Sequence, residues 1–411
     1  MTKILPSAEA EKLCREMITE LDNNRLGNLL LSAGSGRMFG ILVCTDGTVL
    51  KAFSGELLGS YLSDGFVPPV FDVKELTDVC KPYEAEVKRL TAHICEGNFS
   101  EKETELMRRE RRALTRECWK KLKDIYRFHC FDGKIRTLNE VYPNAQAGTG
   151  DCCAPRLLSY CYSIGKKPAS MAEFFYGNGT LEHKKFYTPC DERCKPVLPA
   201  ITGLDIVYLD DYICVVNKPS GLLAIEGRGS DKQDCVASRL RNLISYCIKQ
   251  PCVHRLDQST SGLMVLGLTQ KAHDALSADF ENRKVHKEYV ALVDGKVMVQ
   301  SGTIDIPIRL DTEHRPVQIP DPVNGKRAVT EWERICICRY GNRDVTKLKL
   351  VPLTGRTHQL RVHCAQALFP ICNDAIYGKA TDRTSLCLTA SRLCFTHPVT
   401  GKKMDFTIPE S

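Results

Sequence analysis

His254-Arg255-Leu256-Asp257-Gln258-Ser259-Thr260-Ser261-Gly262 runs directly into the apolar stretch Leu263–Leu268. A short continuous apolar run bounded by polar residues has the pattern of a strand buried on both faces. A polar stretch that carries one carboxylate and ends in Ser-Gly, placed just ahead of such a strand, suits an acid held at the mouth of a cleft. The same residues also fit a plainer reading, in which Asp257 caps a turn and Arg255 pairs on the surface.

Working outward, the chain from residue 205 is strand-rich. Ile206–Leu209 and Tyr212–Val216 flank Asp210-Asp211, a hairpin pattern. Ala272, Leu276 and Phe280 recur every four residues and predict a helix after the apolar strand. Further strands are predicted at Tyr289–Val293, Ala328–Ile335, Lys347–Leu353 and Leu386–Phe395, with a last hairpin turning through His397-Pro398-Val399-Thr400-Gly401. Many strands with a few interspersed helices argue for a mixed, mostly antiparallel α+β domain over residues 204–411.

Upstream lies a separate α+β region with charged helices. In residues 1–71, Leu13, Met17 and Leu21 predict a helix over Ala8–Leu21, and Asp46-Gly47 predicts a hairpin between Met38–Cys44 and Thr48–Phe53. Residues 72–127 read as a possible helical hairpin. Val87, Leu90 and Ile94 share a face, Gly97 is a stop, and Ser100 with Glu103 fits a capping box. Leu106, Leu114, Trp119 and Leu122 are the candidate buried positions of the second helix. Its arginines, Arg108, Arg109, Arg111, Arg112 and Arg116, are balanced by Glu101, Glu103, Glu105 and Glu110, so a solvated face is favoured over an RNA-facing patch. Residues 128–203 read as a Cys/Gly/Pro-rich connecting region, ending at Pro196 and Pro199. Cys190 and Cys194 could join Cys152, Cys153, His129 or His183 around zinc. A single C-x3-C without a second spaced pair favours small buried thiols instead, so no metal is expected.

Composition narrows the class. The 411 residues are too many for one core, and 43% hydrophobic with 26% charged residues is a globular balance. A net charge of +7 suits a polyanionic partner without requiring one. The sequence MTKILPSAEAEKLCREM lacks the apolar core of a secretory signal, and no apolar run approaches the ~18 residues of a membrane span. Twenty-one scattered cysteines, an odd number, fit reduced thiols and a cytoplasmic location better than a disulfide framework.

HRLDQSTSG resembles the HRLDxxTSG signature of the RluA-type pseudouridine synthases, a family that modifies ribosomal and transfer RNA. Three more blocks are similar in order: Ile206-Val207-Tyr208 through Asp211 leading to Asn217-Lys218-Pro219-Ser220-Gly221, then Lys287-Glu288-Tyr289, then Leu353-Thr354-Gly355-Arg356-Thr357-His358-Gln359-Leu360-Arg361-Val362-His363. The resemblance covers residues 205–411 and leaves out the first 200. It implies Asp257 as the catalytic residue, Arg255 as the side chain that enters the RNA in place of the departing base, Tyr289 as the ring that stacks on the target base, and Arg361 as the partner of Asp257. His254, Lys218 and Arg356 are expected RNA contacts, with Lys379 a further phosphate contact, and His358 and His363 are expected to be structural. Two stretches depart from the family: Asn373-Asp374-Ala375-Ile376-Tyr377-Gly378 where relatives have Gly-Asp before the YG pair, and Leu388-Thr389-Ala390 where they have Leu-His-Ala.

These roles are chemically coherent. A stacked uridine must be flipped into a pocket before its N1–C1′ bond can be reached, and a planar guanidinium can fill the gap it leaves. A carboxylate either attacks C1′ or takes a proton from the sugar, in both cases while ionised, and a nearby arginine favours that form. No redox step or group carrier is needed, so no organic cofactor is implied. The expected activity is therefore isomerisation of uridine to pseudouridine in ribosomal RNA, with transfer RNA as the other substrate. A non-catalytic RNA-binding or ribosome-assembly factor is the competing class. A glycoside-type hydrolase would need a second acid, which does not accompany the motif.

Overall fold

The apolar run after the HRLD segment becomes the strand Ser261–Gly267, in which residues 262–267 are all buried. In this computed structural model the described residues are 3–4, 8–32, 34–190, 192–229, 232–244, 246–378 and 385–408. They divide into an N-terminal unit, residues 1–205 with 242–245, and a C-terminal unit, residues 206–241 with 246–411.

In the C-terminal unit the sheet order is Asp205–Leu209, Ile213–Lys218, Ser261–Gly267, Leu388–Thr396, His286–Asp294, Arg343–Pro352, Val329–Tyr340 and Ser301–Asp305, with Lys403–Thr407 also on Leu388–Thr396. Pairing is mostly antiparallel, while Ser261–Gly267 runs parallel to Leu388–Thr396. Gly262 is required at that junction: its φ is 113°, and a Cβ there would lie 2.3 Å from the carbonyl oxygen of Ala390. The predicted helix is Gln270–Glu281, capped by Thr269, and its Ala272 and Leu276 pack with Val215, Leu263 and Val265. A second core joins Ala291, Val293, Leu348 and Leu350 to Leu360 and Cys364 of the helix Gln359–Ala367. The fold is α+β with a mixed, mostly antiparallel sheet, as the strand pattern implied.

The N-terminal unit has its own four-stranded sheet, ordered Val49–Phe53, Gly36–Cys44, Pro168–Gly177, Phe186–Tyr187. The strand period of two sorts its residues. Phe39, Ile41 and Val43 pack with Ala10, Cys14, Met17 and Leu21 of the helix Ala8–Asn23. Leu42 and Cys44, pointing the other way, pack with Leu157 and Cys161 of the helix Cys153–Ser163. Residues 128–203, expected to connect, thus supply a central strand and a covering helix.

The helices Val73–Glu96 and Glu101–Ile125 form the expected hairpin, with Gly97 at φ 69° and the Ser100–Glu103 capping box in place. Tyr83 meets Glu117 at 3.0 Å and Arg111 meets Thr91 at 3.5 Å. Leu106 is 67% exposed rather than buried. By those contacts it lies opposite the last turn of the first helix, near the connection between the two helices. Arg108, Arg109, Arg112 and Arg116 are exposed, and Arg109 pairs with Glu105 at 3.3 Å, a solvated face. Among the described residues no helix is long and apolar enough to cross a membrane.

Candidate active site

Two polar loops of the C-terminal unit are tied together below the Ser261–Gly267 strand. The Gly221 N–H donates to the Gln258 carbonyl at 2.8 Å, the Gln258 amide returns a bond to the Gly221 carbonyl at 3.0 Å, and Ser220 donates to the Ser259 carbonyl at 2.7 Å. Lys218 locks this junction. Its ammonium donates to the carbonyls of Pro219, Leu222 and Gln258 at 3.0, 2.7 and 3.0 Å. The side chain is fully buried, and burial pushes its pKa down to about 8 against the opposing pull of Asp257. The expectation that Lys218 touches RNA is therefore corrected: an ammonium with no exposed surface and three carbonyl partners holds the loop, and it cannot reach a phosphate.

His254 also serves the scaffold. Its Nε2 accepts the Val265 N–H at 3.1 Å, and its ring stacks on Phe280 at 4.4 Å. Burial, with nearby Lys287, pushes its pKa down to about 3, so the ring is neutral and keeps its acceptor nitrogen free for that bond.

The loop so held presents Asp257, whose side chain is 23% exposed. Its Oδ2 lies 3.8 Å from Nη1 of Arg361 and 3.9 Å from Nε2 of His358. Arg361 was expected as the partner of Asp257, and the structure brings them together, but its tight pair is elsewhere. Nε and Nη2 of Arg361 donate to the two carboxylate oxygens of Asp374 at 2.8 and 2.7 Å. Burial disfavours the charge of Asp374, yet the Arg361 fork and the N–H groups of Ile376 and Tyr377 hold its carboxyl below the usual range. The guanidinium, 4% exposed, thus fills one edge with Asp374 and turns Nη1 toward Asp257. Tyr377 lies beneath it, 5.2 Å from ring centroid to guanidinium carbon, and its hydroxyl is 2.8 Å from Nδ1 of His358.

The helix that carries Arg361 is aimed by Gln359. Its amide oxygen accepts from Thr354 and from the Arg356 N–H at 2.7 and 3.0 Å, and its nitrogen donates to the Val329 carbonyl and to Thr330. His363 is fully buried between Thr330 and the Ile306 carbonyl, a structural histidine as expected.

Tyr289 sits on His286–Asp294 at a register shift, opposite Leu350 and Ala390. It is half-buried, and burial followed by the charge of Asp257 pushes its hydroxyl well above its ordinary pKa, so the phenol stays neutral. Arg255 is exposed and donates to Thr357 at 3.1 Å, and Arg356 is exposed with one bond to the Arg327 carbonyl. Lys379 lies outside the described residues.

Asp374 and Tyr377 were given no role from the sequence, and His358, expected to be structural, lies beside Asp257. The signal for Asp374 and Tyr377 was present in Asn373-Asp374-Ala375-Ile376-Tyr377-Gly378. Asn373 has φ 62°, so the family glycine is replaced by a residue that tolerates the left-handed region, and the Asp and Tyr keep their places. At the other departure, Thr389 meets Ser261 at 2.8 Å.

The family model described as RNA pseudouridylate synthase matches residues 212–366. The dual-specificity RNA pseudouridine synthase RluA of Haemophilus influenzae is 41% identical over 206 residues, 49% of this chain and 91% of that protein. The chain belongs to the RluA-type pseudouridine synthases. The Escherichia coli K12 protein of the same name is 39% identical over 214 residues, 51% of this chain and 95% of its own length. A solved structure, human RNA pseudouridylate synthase domain containing 1, is 30% identical with a TM-score of 0.43, covering 50% of this chain and 83% of that one. As a pseudouridine synthase the protein is an isomerase acting on RNA, and residues 1–211 lie outside the matched family region.

Proposed function

We propose that this pseudouridine synthase isomerises specific uridines of ribosomal RNA, with Asp257 as its catalytic carboxylate. The observation that carries the assignment is the position of Asp257: a partly exposed acid on a clamped loop, facing the free edge of a buried arginine. In this reading Asp257 acts at C1′ of a flipped uridine, Tyr289 supplies the stacking face for the detached base, and Arg361 orients the carboxylate. Arg255 fills the vacated stack and Arg356 contacts the backbone. Transfer RNA is the second substrate reading, favoured by the dual-specificity relatives. Residues 204–411 are the catalytic domain, and residues 1–203 help to choose the RNA. An RNA substrate and unpaired cysteines support a cytoplasmic site of action.

The test is pseudouridine mapping on total RNA from cells lacking the gene, complemented with wild type or Asp257→Asn. One or a few ribosomal sites should vanish and return only with wild type. Loss of sites confined to transfer RNA would move the substrate, and restoration by Asp257→Asn would remove Asp257 from the chemistry.

A further inference from the structure

The N-terminal unit contains a group of side chains that the isomerisation does not use. Cys190 and Cys194 have their sulfurs 3.4 Å apart, Cys152 lies 3.9 Å from Cys190, and all three Sγ atoms fall within 4.8 Å of one another. Tetrahedral zinc with bonds of ~2.3 Å places its sulfur ligands ~3.8 Å apart, close to these spacings. A disulfide would join two of the sulfurs at ~2.05 Å and leave the third out. We infer that Cys152, Cys190 and Cys194 hold a zinc ion.

The local backbone prepares the sulfurs for this. The Cys194 N–H donates to Cys190 Sγ at 3.3 Å, a bond that fixes the direction of that sulfur. Cys152 is the N-cap of the helix Cys153–Ser163 and makes no side-chain capping bond, so its sulfur is not committed to the helix backbone. A second, independent observation comes from the sheet. Glu173 on Pro168–Gly177 is only 5% exposed, its Oε1 has no hydrogen-bond partner, and it interacts electrostatically with each of the three cysteines. Three thiols and a buried carboxylate with an unpartnered oxygen make an environment that a cation relieves.

Thiolate ligands select a soft or borderline metal, and zinc adds no redox chemistry. Binding breaks S–H bonds, releases those protons to solvent and forms Zn–S bonds, with no change of oxidation state. The metal would tie the start of the helix to a segment 38 residues further along. From the sequence, one C-x3-C pair had favoured plain buried thiols, and it is the placement of Cys152 beside that pair that changes the reading.

The test uses the full chain, purified without chelators and measured for metal by mass spectrometry. About one zinc per chain is expected. It should be lost in Cys190→Ser and kept in Cys336→Ser, an exposed cysteine of the other unit. Because Cys190→Ser could fail to fold, wild type is also exchanged with cobalt, which should give the visible spectrum of tetrahedral thiolate coordination. Alkylation of Cys190 in the wild type should slow at least about tenfold on zinc loading. A wild type with no bound metal and no cobalt spectrum would overturn the site, as would a disulfide among the three cysteines by peptide mapping. Zinc retained by a folded Cys190→Ser protein would do the same.

Discussion

The two units bury charge in different ways. In the C-terminal unit, Lys218 and Arg361 are both shut off from solvent, and both end at the loop of Asp257: one holds its backbone, the other faces its carboxylate. In the N-terminal unit, Arg156 is as deeply buried, but among the described residues no carboxylate pairs with its fork. It donates to the carbonyls of Phe53, Gly55, Tyr61 and Val67, lies 4.5 Å over the Phe53 ring, and leaves Nε without a partner. A buried arginine neutralised on one edge by a carboxylate can offer its other edge to a second anion. One spread over loop carbonyls is committed to holding the loop. Burial of charge alone therefore does not mark a functional site, and the direction of the remaining donors does.

The largest expected effect separates these two arginines. Arg361→Met leaves Asp374 buried without its partner and should destabilise the C-terminal unit by about 3–5 kcal/mol, read by denaturant titration, with isomerisation lost. Adding Asp374→Asn should recover part of the stability and none of the activity. Arg156→Met should cost about 2–3 kcal/mol through unsatisfied carbonyls, with the rate per folded molecule unchanged. A folded Arg156→Met protein with no activity would break the comparison. Lys218→Met belongs with Arg156 in kind: about 2 kcal/mol of stability should go, while the salt dependence of RNA binding stays the same. A shallower salt slope would return Lys218 to the RNA surface.

The C-terminal unit was largely legible because its HRLD segment lies directly ahead of a buried strand and that strand follows an apolar run. Ser261–Gly267 and Gln270–Glu281 lie within a few residues of where Leu263–Leu268 and Ala272-Leu276-Phe280 placed them. Burial at the site was harder to read. A lysine in a polar loop looks like a phosphate contact until three carbonyls are seen around it, and these come from residues up to 40 positions away. Arg361 pointed to Asp257 by resemblance, but its tighter partner Asp374 became evident only when the chain folded back. In the N-terminal unit the local signals worked, as with Gly97 and Ser100–Glu103. The pairing of Gly36–Cys44 with Pro168–Gly177, across more than a hundred residues, left no periodic trace.

A smaller effect is set by pH. His254 has a folded pKa of about 3 against an ordinary value of 6.5. The unfolded chain therefore takes up the proton first as pH falls. Stability is intact above 6.5 and is lost progressively down to about 3, by about 2 kcal/mol near pH 5. His254→Gln should flatten that acid limb in a melting series. An unchanged limb would mean that His254 is not held as a neutral acceptor by Val265.

The smallest effect separates two exposed arginines on the same unit. If Arg255 fills the vacated stack, its work is done only when the uridine is flipped, so Arg255→Ala should weaken RNA binding by about threefold or less while slowing single-turnover isomerisation much more. Arg255→Lys should not rescue the rate, because an ammonium has no planar face to stack. Arg356→Ala should behave in the opposite way, lowering the salt slope of RNA binding by about 0.7 with the bound rate nearly unchanged. Arg255 already leans on Thr357, beside Arg356 in sequence, while the Arg356 guanidinium holds the Arg327 carbonyl, and the two differ in which step they serve. An Arg255→Ala variant that loses affinity and rate in equal proportion would make it a phosphate contact like its neighbour, and the insertion role would then have no residue left to carry it on this loop.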